Sequence, residues 1–283
     1  MLPALLALAL AAQPVPAVQT VPAALPSPAA IAPPVAPDLP LDAPEVRPPG
    51  DSVYRLVPWL DVPLTALAAG VAILPARYPF SFITPRCPCD RAEVNGFDRF
   101  AIDLHSRAAG VISDVTVLAS VGVPVVADAF WVGNTRALRE DLMVLTETLA
   151  LNSAAVMTVK FAVQRPLPVT YAGRDGLVKQ AQGYRSFYSG HTSTAVAALT
   201  AASWTYTLRR GPAAWPWLVT AAVGASVGAE RVLAGRHFPT DVLVGAAAGF
   251  GFGTLVPLLH ARGGRLPVAL APMGRGVQLT GTW

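Results

Sequence analysis

Six apolar runs recur along the 283-residue chain, at about 58–76, 112–132, 141–160, 191–208, 213–232 and 238–260. Each approaches the ~20 residues that a helix needs to cross the hydrocarbon core of a bilayer. Backbone placed in lipid must satisfy its polar groups internally, which confines such a chain to a closed set of helices. Composition points the same way: 13% of the residues are charged and 53% hydrophobic, with a mean hydropathy of +0.47, against about 25% charged in ordinary soluble domains. The expected fold is all-α, a six-helix transmembrane bundle over residues 51–262, in a multi-pass integral membrane protein.

The flanks read differently. Residues 1–12 hold a short apolar stretch ending in small residues, like the core of a signal peptide, although no lysine or arginine precedes it. Residues 13–50 carry twelve of the 28 prolines. Proline removes backbone donors and blocks helices, so this stretch is expected to be a disordered tether. Residues 263–283 form a C-terminal tail.

The net charge of +4 and pI of 9.4 do not imply a nucleic-acid partner, because the arginines are scattered between apolar runs and form no stripe. Anionic lipid headgroups suit that scatter better. Cys87 and Cys89, the only cysteines, exclude a disulfide framework and lack zinc spacing. Arg136, Arg139, Arg209, Arg210, Arg262, Arg265 and Arg275 share one end of an alternating bundle, which the positive-inside rule makes cytoplasmic. That orientation conflicts with a cleaved signal, which would leave both ends of the mature chain outside. Trp59, Trp131, Trp204, Trp215 and Trp217 lie near run ends, as in interfacial belts. Gly224, Gly228, Gly245, Gly249, Gly251 and Gly253 suit close helix packing in lipid.

Three segments carry chemistry. In the first, Arg231 precedes His237 by six residues and Asp241 follows four later, so imidazole and carboxylate share a helix face. The carboxylate can then hold one ring nitrogen and leave the other as nucleophile or base. In the second, Ser189, Gly190 and His191 open the fourth run, where helix-start amides and a hydroxyl favour an anion. In the third, Lys160 and Arg165 end the third run and offer positive charge to phosphate oxygens. Taken singly, each has an ordinary explanation as a helix cap or interfacial anchor. Alternate threading, however, brings all of them to one membrane face, and such a gathering of ionisable groups in a charge-poor chain points to function.

The order and spacing of these segments resemble the type 2 phosphatidic acid phosphatases and related haloperoxidases. Their motifs are a lysine followed after six residues by Arg-Pro, then Pro-Ser-Gly-His, then Ser-Arg with five residues to His and three to Asp. Here Glu230 replaces the serine of the third motif and Tyr188 the proline of the second. In the first, Leu167 stands at the arginine position, with Pro168 at the proline and Arg165 two residues early. The resemblance implies a membrane phosphatase acting on lipid phosphate monoesters or diphosphates, with its site facing the periplasm of a bacterial inner membrane. By that resemblance His237 is the nucleophile that becomes phosphohistidine, Asp241 holds its tautomer, and His191 is the general acid. Lys160, Ser189, Gly190 and Arg231 would hold the phosphate, with Arg165 a further candidate.

No cofactor and no metal are implied, and no carboxylate cluster is visible. Tyr171, Tyr184, Phe187 and Tyr188 are candidates for the substrate approach or for interfacial anchoring. Asp114, Asp128, Glu147 and Asn152 read as structural. Leu167 motivates one alternative, a relative that binds lipid phosphate without turnover. A transporter is disfavoured because no symmetric pair of broken helices is present.

Overall fold

In the computed structural model, residues 51–77, 83–263, 268–273 and 276–281 are described. The expectations for residues 1–12 and 13–50, and for Arg265 and Arg275, lie outside them. Six long helices appear where the apolar runs place them: α1 (Pro58–Arg77), α2 (Arg107–Val132), α3 (Thr135–Val163), α5 (Gly190–Arg210), α6 (Trp215–Leu233) and α7 (Pro239–His260). A single turn, α4 (Pro168–Tyr171), interrupts the connection between α3 and α5.

Local chemistry sets the boundaries. The hydroxyl of Ser106 accepts from Ala109 N to start α2, and Gly133 ends it in the left-handed region. Asn134 then caps α3 through the amides of Arg136 and Ala137. Ser189 caps α5, and prolines stand in the first turns of α6 and α7, where the missing N–H has no helical partner to lose.

The helices alternate in direction. At one end, Tyr54 bridges Ala261 and Arg209 Nη1 donates to Asp51 O, gathering the chain before α1 with the ends of α5 and α7. At the other end, Ser106 N donates to Leu233 O, Val169 N to Gly235 O, Ser186 N to Arg165 O and Ser189 N to Asp241 O. The ends of α3 and α6 therefore meet the starts of α2, α5 and α7.

Helix α5 is the centre of the bundle and touches α2, α3, α6 and α7. Its sequence is correspondingly rich in Ala, Ser and Thr, with Thr192, Ser193, Ala197 and Thr200 fully buried. Ser193 Oγ donates to Asn152 Oδ1 on α3 at 2.5 Å. The α7 face against α5 is a glycine groove: a Cβ on Gly245, Gly249 or Gly253 would lie 2.6, 2.3 or 2.6 Å from a carbonyl oxygen of α5 or of its cap Ser189. Those glycines bring the two backbones together; Gly251 faces open space.

The outer surface is apolar. Leu118, Val123 and Phe130 of α2, Trp59 and Leu67 of α1 and Leu243 and Leu259 of α7 are among its exposed side chains, a surface that lipid and not water would cover. Among the described residues three helices are long and apolar enough to cross a membrane: Arg107–Val132, Thr135–Tyr171 and Pro239–His260. The central α5 lacks an outward apolar face because its neighbours already cover it. Trp59, Trp131 and Trp215 are exposed at the end away from Ser189, whereas Trp204 and Trp217 are half-buried and meet edge to face. After the bundle, strands β1 (Val268–Met273) and β2 (Gly276–Gly281) pair antiparallel as a hairpin that the tail sequence did not announce.

Candidate active site

The junction between α6 and α7 is a tight turn. Gly235 adopts a φ of 67°, and a Cβ there would fall 2.4 Å from Leu104 O, so only glycine lets the chain reverse in this space. Two residues on, His237 is directed into a cavity of about 620 Å³ that also receives His191, Lys160, Arg231, Asp114 and Arg185. The two imidazoles expected to do chemistry thus share one cavity.

His237 is 3% exposed. Its Nδ1–H donates to Ser186 O at 2.7 Å, while Asp241 Oδ2 stands 3.7 Å from the same nitrogen. The backbone carbonyl of Ser186, and not Asp241, therefore makes the hydrogen bond that fixes the ring and leaves Nε2 as the free nitrogen. Burial pushes the His237 pKa down to about 4, with neighbouring Lys160 and Arg231 adding to the effect against the pull of Asp241. At neutral pH its Nε2 carries a lone pair.

Asp241 holds the frame around that ring. Its carboxylate accepts from Ser186 Oγ at 2.5 Å, from Phe238 N at 2.9 Å and from Arg165 Nη1 at 2.7 Å. Arg165 in turn donates to Asp98 at 2.8 Å and lies 4.0 Å over the Phe238 ring. Asp98, fully buried, also accepts from Asn95 and from the amide and hydroxyl of Thr240. Burial would raise the Asp98 pKa, but these donors together outweigh it and hold the carboxyl below its ordinary range. Arg165 is thus a clamp between two buried carboxylates and does not line the cavity. This corrects its expected place among the phosphate ligands: the buried carboxylates of Asp98 and Asp241 hold its guanidinium out of the cavity.

Another arginine faces the cavity instead. Arg185, which no motif marks, lines the cavity beside Leu167, and its Nε is buried without a hydrogen-bond partner. Its own carbonyl accepts from Lys160 Nζ at 2.8 Å, fixing the lysine. Arg107 and Arg236 also line the cavity, so five cations stand against the single carboxylate of Asp114.

Asp114 belongs to the site, contrary to its reading as structural. Its Oδ1 lies 2.7 Å from His191 Nε2 and 3.4 Å from Arg231 Nη1, which also donates to Ser113 Oγ at 3.2 Å. The missed signal was topological: Asp114 sits two turns into α2, which starts at the same face as the motifs. Ser189 is fully buried, its hydroxyl 3.0 Å from Thr192 Oγ1 as part of the α5 cap, and Gly190 packs on Val156 and Lys160. Neither reaches the cavity wall; what α5 supplies there is His191 and the positive end of its dipole.

The aromatic candidates do not form an approach. Tyr184 is buried, accepting from the amides of Arg86 and Cys87 and donating to Val178 O; Tyr188 is buried, and Tyr171 stacks on Phe238. Through Tyr184 the loop is anchored to a Cys87–Cys89 disulfide. A second cavity, about 300 Å³, opens toward the far end among Val123, Trp131, Leu145 and Trp215 and holds no histidine.

Fold and cavity together define a helical-bundle protein with an imidazole pair in a cationic, anion-accepting pocket. Residues 141–265 match the model of the PAP2 superfamily. Among solved structures, the crystal structure of Aquifex aeolicus LpxE is similar, at 23% identity and a TM-score of 0.41, covering 56% of this chain and 90% of that one. No curated protein matches.

Proposed function

We propose that the protein is a membrane phosphatase that hydrolyses lipid phosphate monoesters or diphosphates through a phosphohistidine on His237. The observation that carries this reading is the meeting of His237 and His191 in one cavity whose wall bears Lys160, Arg185 and Arg231. In the first step His237 Nε2 attacks phosphorus, and the bond to the lipid oxygen breaks as His191 delivers a proton to it. In the second, His191 takes a proton from water, whose oxygen attacks phosphorus and restores the free imidazole. Splitting the hydrolysis in this way lowers each barrier, and the positioned acid and base typically contribute 10²–10⁴-fold. The cations hold the phosphoryl oxygens, which is most of what phosphoryl transfer asks of a protein.

Asp114 orients His191 and stabilises its protonated form, while Ser186 and Asp241 orient His237. Arg185 takes the place that Leu167 leaves open, which favours turnover over the reading of a binding-only relative. The apolar exterior supports six membrane spans with lipid reaching the pocket from the bilayer. A disulfide in the 83–106 segment persists only in an oxidising compartment, and this segment lies at the site end. Its location therefore supports a pocket facing the periplasm, with Arg136, Arg139, Arg209 and Arg210 on the cytoplasmic side.

Phosphate release from detergent-dispersed phosphatidate and a polyprenyl phosphate tests the reading. Wild type releases phosphate without added metal and His237→Asn does not. Retained release in the variant contradicts the nucleophile.

A further inference from the structure

At the end of the bundle away from the pocket, Asp61 of α1, Glu147 of α3 and His260 of α7 each bring one ligand atom within 4.8 Å of the others. Their side chains are only 6, 4 and 10% exposed. His260 Nδ1 lies 2.8 Å from Val256 O, so Nε2 is the ring nitrogen that faces the two carboxylates. It stands 3.6 Å from Asp61 Oδ1 and 3.5 Å from Glu147 Oε2. Both separations exceed a good hydrogen bond. Asp61 is aimed by its other oxygen, which accepts from Val57 N at 2.5 Å. Glu147 Oε2 is buried with no hydrogen-bond partner at all.

Two carboxylates and an imidazole nitrogen facing one another inside an apolar bundle offer a cation three ligand atoms. Among the described residues no lysine or arginine pairs with Asp61 or Glu147. Two ligands bound at ~2.1 Å in tetrahedral geometry lie about 3.4 Å apart, which the observed 3.5 and 3.6 Å approach closely. Two carboxylates also neutralise a divalent ion, so the filled cluster would bury no net charge. The orientation of His260 by a backbone carbonyl is the usual support of a metal-bound imidazole.

We propose that Asp61, Glu147 and His260 form a structural site for one divalent transition-metal ion of the zinc class, which pins α1 to α3 and α7. The expectation that carboxylates and histidines do not cluster fails here because the three come from helices far apart in the chain.

Purified full-length protein, free of any affinity tag, is stripped with a chelator and titrated with Zn²⁺. Wild type should bind one equivalent at this site and melt about 5 °C or more higher at saturation. Co²⁺ in place of Zn²⁺ should give a visible d–d absorption. Glu147→Gln and His260→Gln should each lose the bound equivalent and the absorption, whereas His237→Asn, altered in the distant pocket, should keep both. Binding undiminished in both cluster variants would overturn the proposal. So would the absence of a bound equivalent and of any melting shift in wild type, a result that needs no variant to fold. The phosphatase reading stands or falls separately, on phosphate release.

Discussion

At the level of single residues, the two arginines near the pocket have opposite duties. Arg165 neutralises Asp98 and Asp241, both fully buried. Arg165→Ala leaves two carboxylates without their cation and should destabilise the fold by ~3–5 kcal/mol, measured by denaturation in detergent. Arg185→Ala strands no buried partner; it should leave the melting temperature nearly unchanged and lower kcat/KM by about 10- to 100-fold. Exchanged outcomes for the two variants would mean that Arg165 is the phosphate ligand after all. Asp114→Asn should slow kcat by about 10-fold, and more for an alkyl than for an aryl phosphate, since only the poorer leaving group depends on His191 as acid. His237 makes a prediction in pH. Folded, it stays unprotonated down to about pH 4; unfolded, it takes a proton near pH ~6.5. Between those values the unfolded state binds more protons, so this histidine makes stability fall as pH drops from 6.5 toward 4. His237→Asn should therefore lose less melting temperature between pH 7 and 4.5 than wild type does; equal losses would contradict a buried neutral imidazole.

Among elements, the pairing of α5 with α7 positions the chemistry, because one contributes His191 and the other follows directly from His237. A side chain at Gly249 would meet Ser193 O at 2.3 Å and Ser193 C at 3.0 Å, backbone that cannot step aside. Gly249→Val should part the two helices, costing ~1–3 kcal/mol and most of the activity, although the residue is remote from the cavity. Unchanged turnover in this variant would show that the helix contact does not set the site. Much of this was legible in the sequence. Six apolar runs marked the helices, with α2 and α3 beginning five and six residues earlier than expected, and the spacing from Arg231 to His237 to Asp241 marked the α6–α7 junction. What escaped lay in contacts between segments. Asp114 and Arg185 belong to no motif and reach the pocket only through topology. The partner of His237 is a backbone carbonyl, which no residue identity discloses. Arg165 was misplaced because motif spacing does not disclose the two buried carboxylates, Asp98 and Asp241, that hold its guanidinium.

For the whole molecule, the proposed function makes the bundle a support that holds a reactive imidazole at a lipid surface. The apolar exterior of α1, α2 and α7 suits lipid, and the cationic lining of the cavity at one end suits an anionic ligand. The proposed orientation rests on the Cys87–Cys89 disulfide and is open to direct measurement: in intact cells, reductant and a membrane-impermeant maleimide should label these cysteines from outside. Labelling only after the membrane is breached would place the pocket in the cytoplasm. The central claim is that His237 carries the phosphoryl group during turnover. The measurement closest to it is rapid quenching with ³²P-labelled lipid phosphate, followed by peptide mapping of the labelled protein. The account predicts an acid-labile, base-stable label on the peptide containing His237, absent from His237→Asn. Steady turnover with no labelled protein at any quench time, or a label on another residue, would contradict it.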